Sequence, residues 1–141
     1  MTAVELSQVA AGDRLPDLEL HLTRPDVVRY SGASTDFNPI HYSDRIAKAI
    51  GLPGVVVHGM WTMGAALRIV TDWVGDPALV TSYFVRFVNP VPVPDDDQGT
   101  TVQVQAHVTD VTDGVATIAI EATHDANKVL GAAKATVRLA R

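Results

Sequence analysis

The sequence predicts an α+β domain in which a curled antiparallel sheet wraps around one long buried helix. Three observations carry this. Residues 59–74 include Met60, Met63, Leu67, Ile69, Val70, Trp73 and Val74, with only Thr62, Arg68, Thr71 and Asp72 as polar breaks. A helix apolar on nearly every side is surrounded by protein. The second half of the chain alternates apolar and polar residues with a period of two, the pattern of half-buried strands. Asp113-Gly114 stands between two such runs and makes a tight hairpin turn.

The elements follow in order. Residues 15–22 form an opening strand, with Leu18, Leu20 and Leu22 on one face and Glu19 and His21 on the other. Thr23 caps a helix that holds Pro25 and Asp26 in its first turn, carries Val27, Val28 and Tyr30, and ends near Gly32. Ser43 caps a second helix, in which Asp44 faces the positive end of the helix dipole, Ile46 and Ile50 share a face, and Gly51 ends the segment. The long helix stops at Gly75-Asp76-Pro77. Strands are expected over 78–88, 101–108, 115–123 and 129–139, with a stiff Pro-rich loop over 89–94 and a solvated acidic loop over 95–97. His107 and His124 fall on strands and read as surface residues.

Composition narrows the function. A chain of 141 residues with 47% hydrophobic and 19% charged residues has room for one domain, 1–141, with a substantial core. A net charge of -5 argues against nucleic acid or an anionic membrane as partner. Without cysteine there are no disulfides, thiolate nucleophiles or cysteine-held metal centres. Residues 1–16 lack the basic stretch and apolar run of a secretory leader, and no apolar run reaches membrane-spanning length. The expected location is the cytoplasm.

The densest polar cluster is Asp36-Phe37-Asn38-Pro39-Ile40-His41. Proline pushes Asn38 into an extended conformation, so the segment is a bent loop that can bring Asp36 and His41 to one side. An imidazole beside a tuned carboxyl suits proton transfer. The same residues also suit a plain turn, with Asp36 as its cap and His41 bonded to a backbone carbonyl. A second cluster, Val57-His58-Gly59-Met60, feeds the long helix. Free N–H groups in a first helical turn can hold a developing negative oxygen, and a glycine there lets a ligand approach closely. Read alone, the cluster is better explained by close packing at Gly59 and a satisfied core position for His58. No metal-ligand spacing such as H-E-x-x-H, no nucleophile elbow and no phosphate-binding glycine loop is present. No metal or cofactor is expected.

Taken together, Tyr30-Ser31-Gly32, the 36–41 loop and Ala47, followed by Val57-His58-Gly59-Met60 and Thr62-Met63-Gly64, resemble the MaoC-like family of (R)-specific enoyl-thioester hydratases and dehydratases. The likeness extends to Trp73-Val74-Gly75-Asp76-Pro77 and the 91–94 loop, which are similar to the B subunits of actinobacterial (3R)-hydroxyacyl-ACP dehydratases of fatty-acid and mycolic-acid synthesis. The family often has glycine before the aspartate, where this chain has Thr35.

The resemblance implies a hot-dog fold and a homodimer, or a heterodimer with a related subunit. It implies that Asp36 and His41 act together on the water added or removed, with the Gly59 N–H as oxyanion donor. Asn38 would orient the loop, and His58, Met60 and Gly64 would support or contact the substrate. The substrate would be an acyl thioester on acyl carrier protein or coenzyme A. Arg24, Arg45 and Lys48 are candidate contacts for an acidic carrier. Rival readings are a coenzyme A hydratase of β-oxidation or polyester synthesis, a hot-dog thioesterase, and a non-catalytic acyl-binding subunit.

Overall fold

The computed structural model describes residues 4–139; residues 1–3, where the segment read for a leader begins, and 140–141 lie outside them. Five antiparallel strands, β1 (Leu18–Leu22), β2 (Val80–Phe87), β3 (Thr100–Thr112), β4 (Val115–His124) and β5 (Asn127–Arg138), form one sheet in the order β1-β3-β4-β5-β2. Alternate residues supply its buried face: Val102, Val104 and Val108 from β3, Ile118 and Ile120 from β4, and Ala135 and Val137 from β5. They pack against Ile69, Val70 and Val74 of the helix, with Leu20, Leu22 and Val27 closing the core. Each fully buried Val, Leu or Ile contributes about 1.5–3 kcal/mol, which makes this face the main source of stability.

The long helix differs in two ways from the sequence expectation. It runs as α3 (Gly59–Ala66) and α4 (Arg68–Val74), joined at Leu67, whose φ of -62° and ψ of -20° keep the right-handed course. At the joint, the Met63 carbonyl accepts from both Leu67 N, at 3.3 Å, and the Tyr83 hydroxyl, at 2.9 Å. Burial pushes the Tyr83 hydroxyl up to about 12, so it remains a donor. The helix is also not surrounded: Met60, Gly64, Arg68 and Asp72, four residues apart in turn, form an exposed stripe. The sheet of one chain curls around only one side of the helix.

The first two helices, α1 (Arg24–Ser34) and α2 (Asp44–Ala49), start where their caps indicate. The Thr23 N–H donates to the Asp26 carboxylate at 2.8 Å, and Ser43 Oγ accepts from Ile46 N at 3.3 Å. Helix α1 continues two residues past Gly32, because Thr35 and not the glycine takes the left-handed cap, with φ 61°. Strand β2 begins late because Pro77–Leu79 form a 3-10 turn capped by Asp76.

Strand β5 begins early because Asp125 and Ala126, with φ 47° and 62°, make a two-residue hairpin turn after β4. His124 beside this turn is not a surface residue. Its side chain is 15% exposed, Nε2 lies 3.3 Å from Asp125 Oδ2, and Nδ1 lies 3.1 Å from the Thr101 carbonyl. An alanine in the left-handed region is strained, so Ala126→Gly is expected to stabilise the chain by about 1 kcal/mol, read as a raised midpoint of thermal unfolding.

One irregularity shapes the site. Between Leu130 and Lys134, β5 takes one residue more than either neighbouring strand, and Ala132 adopts φ 48°. Such a bulge bends its strand. Val129 and Leu130, just before it, line the cavity at the site described below.

Candidate functional site

The site begins where α1 ends. Thr35 is β-branched and at positive φ, a conformation that costs about 1–2 kcal/mol and turns the chain sharply into the loop. Asp36 Oδ1 then accepts from Asn38 N at 3.1 Å, and Asn38 Oδ1 accepts from Ile40 N at 3.2 Å. The Asn38 side chain therefore shapes the loop. Pro39–His41 form a short 3-10 turn that delivers His41 into the interior.

His41 is fixed by its own ring. Nδ1 donates to the Val56 carbonyl at 2.7 Å, so Nε2 carries the lone pair. Nε2 lies 3.7 Å from Asp36 Oδ2, too far for a hydrogen bond. Two acceptors face each other across a gap suited to a hydroxyl or a water. Asp36 thus divides its work: one oxygen caps the turn and the other looks at His41, with the side chain 52% exposed. Burial holds the His41 ring below the ordinary histidine value; the bond to Val56 and the Asp36 carboxylate pull the other way, and His58 adds to the lowering.

His58 stands behind His41, with ring centroids 3.6 Å apart and planes at 19°. It precedes Gly59, the first residue of α3. As the first residue of the helix, Gly59 has an N–H without an intrahelical acceptor. A cavity of about 420 Å³ opens here, lined by Asp36, His41, Gly59 and Met60 among largely apolar neighbours such as Val56 and Leu130. Phe87 of β2 closes over Gly59: a Cβ added at Gly59 would lie 3.0 Å from its ring.

Residues 7–129 match the MaoC like domain. The chain belongs to this family. It is 37% identical over 79 residues to 3-hydroxyacyl-thioester dehydratase X of Mycobacterium tuberculosis, a match covering 56% of this chain and 27% of that protein. Among solved structures, a MaoC-like dehydratase superposes with a TM-score of 0.92 at 34% identity, covering 98% of this chain and 43% of that one. A chain of the ChsH1-ChsH2 complex of Mycobacterium tuberculosis superposes with a TM-score of 0.78 at 26% identity, covering 92% and 98%. This MaoC-like chain therefore spans about a quarter of that curated relative and under half of the first of these structures, but nearly all of the second. Its curled sheet around a central helix is the hot-dog fold.

The MaoC-like site brings Asp36, His41, His58, Gly59 and Met60 to one cavity. It does not bring Gly64, which lies on the exposed stripe of the helix with open space around it. Arg24, read as a possible carrier contact, is committed internally. Its Nη2 lies 2.9 Å from Asp44 Oδ1, which also accepts from Val55 N at 2.8 Å, while Arg24 Nε donates to the Val93 carbonyl. The knot ties α1, α2 and the segment leading to His58 into one body. The Val55 N–H, and after it Arg24, hold the Asp44 carboxyl below the usual aspartate value. With the folded value depressed, this stabilisation is present above the ordinary value of 3.8 and is lost as pH falls through the folded one.

Donor atoms of Asp36, His41 and His58 lie within 4.8 Å of one another, close enough to consider a metal. The geometry is poor for one. Stacked imidazoles direct their lone pairs in nearly parallel planes, and each ring already uses one nitrogen on a backbone carbonyl. Ser31, whose Oγ lies 3.2 Å from His58 Nε2, and the cavity-lining Phe87 and Leu130 belong to the site without a role legible in the sequence. Phe87 and Leu130 come from strands distant in sequence, and Ser31 is one polar residue on a helix that shows several.

Proposed function

We propose that the chain is a hydro-lyase that interconverts (3R)-3-hydroxyacyl thioesters and trans-2-enoyl thioesters. The observation that carries this is the pair of proton acceptors, His41 Nε2 and Asp36 Oδ2, set 3.7 Å apart on the cavity that also holds the first residue of α3. In the dehydration direction the pair takes one proton from C2 of the substrate and charge gathers on the thioester oxygen. The Gly59 N–H, backed by the helix, stabilises that oxygen. The C3–O bond breaks, and the departing hydroxyl receives the same proton and leaves as water. No net proton is gained or lost, so the reaction runs in reverse by the same groups, and Asp36 and His41 are best described as a unit. The apolar lining suits an acyl chain.

The carrier is acyl carrier protein or coenzyme A, and the same chemistry on coenzyme A esters is the alternative reading, with the cytoplasm as the expected site of action. A second hot-dog subunit supplies the missing cover. Strand β2 is a sheet edge, and Phe84, Phe87 and Val88 on and beside it are each more than half exposed. The exposed stripe of the helix and the half-open cavity are consistent with a partner, and so is the two-protein assembly named in the ChsH1-ChsH2 structure.

The pH dependence tests this reading. His41 works as an acceptor only when uncharged, and burial lowers its value from 6.5. Hydration of a trans-2-enoyl thioester is therefore expected to rise with pH along a limb centred below 6.5 and to level off above it. A limb at or above 6.5 that His41→Ala leaves in place would assign the proton to another group.

A further inference from the structure

His58 is 2% exposed, yet it is polar and badly satisfied. Its Nε2 lies 3.1 Å from the Asp36 carbonyl oxygen and 3.2 Å from Ser31 Oγ. A carbonyl oxygen only accepts, so the proton sits on Nε2 and is donated to Asp36. Nδ1 is then a bare lone pair, buried without a partner among the described residues. An unmet buried acceptor works against folding, and an apolar residue of the same size would fill the place without one. Core filling therefore does not account for a histidine here.

What the ring touches does. It stacks on His41 with ring centroids 3.6 Å apart and bonds the main chain of Asp36, while the Tyr30 ring packs against it at an angle of 64°, centroids 4.8 Å apart. The His58 carbonyl accepts from Trp61 N at 3.1 Å and Thr62 N at 3.3 Å, which starts the helix headed by Gly59. His58 thus joins the 36–41 loop, which carries both Asp36 and His41, to the start of the helix headed by Gly59. We infer that His58 is a positioning residue that holds the His41 ring and the Asp36 main chain in register, so setting the gap across which the pair handles a proton, with Ser31 steadying its Nε2–H. This rests on the reading of Asp36 and His41 as the reacting pair.

The charged and titratable groups facing His41 among the described residues are Asp36 across the gap and His58 behind, with Tyr30 beyond His58. Asp36 favours a proton on His41 and His58 opposes it, so removing the His58 ring raises the pH at which His41 titrates.

The test uses the full chain with two complementary variants. His58→Gln keeps a side-chain N–H but loses the stacked ring; His58→Phe keeps a ring but loses the donor. The His41 ring is titrated by NMR, which needs no turnover, and trans-2-enoyl thioester hydration is followed against pH. His58→Gln is expected to move the His41 titration, and the acid limb of the rate, to higher pH. His58→Phe is expected to lower kcat on the order of 10²-fold with KM changed less than about threefold, the effect of a misplaced reacting group. Folded variants that leave the His41 titration in place and kcat within about twofold of the parent would overturn the inference. Should both fail to fold, Ser31→Ala decides: a kcat lowered about threefold or more at unchanged KM supports it, and an unchanged kcat with an unmoved His41 titration overturns it. Normal turnover in Asp36→Asn would instead sink the underlying reading of the pair, and the NMR titration still reports whether His58 controls His41.

Discussion

Asp36→Asn is expected to lower kcat for enoyl-thioester hydration on the order of 10²–10⁴-fold, the usual contribution of a positioned acid–base group. The substitution removes one function and leaves the other. An asparagine carbonyl oxygen can still accept from Asn38 N and hold the turn, as Asp36 Oδ1 does at 3.1 Å. The second atom, now an amide that donates, can no longer accept a proton opposite His41. Because the side chain is half exposed and its partner His41 stays anchored to Val56, the unfolding midpoint should move by no more than a few degrees. Circular dichroism melts and initial rates on the same samples check both halves. A variant that is stable and retains near-normal turnover would remove Asp36 from the chemistry and leave it as a turn residue.

The second large effect is expected at Gly59, where a pair of substitutions separates the N–H from the space around it. Proline is well suited to the first position of a helix, since the missing N–H has no intrahelical role there. The preceding residue, His58, has φ -60° and ψ 132°, a conformation proline permits before it. Gly59→Pro therefore deletes the proposed oxyanion donor without breaking the helix. Gly59→Ala adds the same Cβ, 3.0 Å from the Phe87 ring, and keeps the donor, so the crowding is common to both variants and only the N–H differs. Loss of one such donor costs about 10²–10³ in kcat, or about 2.7–4 kcal/mol. The rate of Gly59→Pro is expected to fall by that factor below Gly59→Ala. Equal rates for the two would show that the thioester oxygen is held elsewhere.

Much of this architecture is legible in local chemistry, and its gaps have local causes. Asp113-Gly114 announces its hairpin because both residues take positive φ readily, at 51° and 74°. The equivalent turn at Asp125-Ala126 is hidden because alanine is a poor choice for φ 62°, so the strand after it begins earlier than its pattern suggests. Gly32 looks like the end of α1, yet Thr35 makes the turn, a choice no propensity favours. The nearness of Asp36 and His41 follows from a six-residue loop with proline in it. The His58 stack does not, since it depends on how α3 enters beneath that loop. At the break before Leu67 the Met63 carbonyl is shared with the Tyr83 hydroxyl, 20 residues on in sequence, and periodicity along the helix is blind to such a contact. Helical periodicity also cannot say how much of an apolar helix one chain covers, which is why Met60 and Gly64 read as core although they share an exposed stripe with the polar Arg68 and Asp72.

In the proposed reaction this pair adds water to C3 of an enoyl thioester and does not hydrolyse the thioester bond. The most direct measurement incubates the full chain, and Asp36→Asn beside it, with a trans-2-enoyl-coenzyme A, following enoyl absorbance and free thiol in the same samples. Loss of absorbance without thiol release is expected in the parent chain, and neither in the variant. Thiol released in step with any loss of absorbance, or equal hydration by Asp36→Asn, would contradict it.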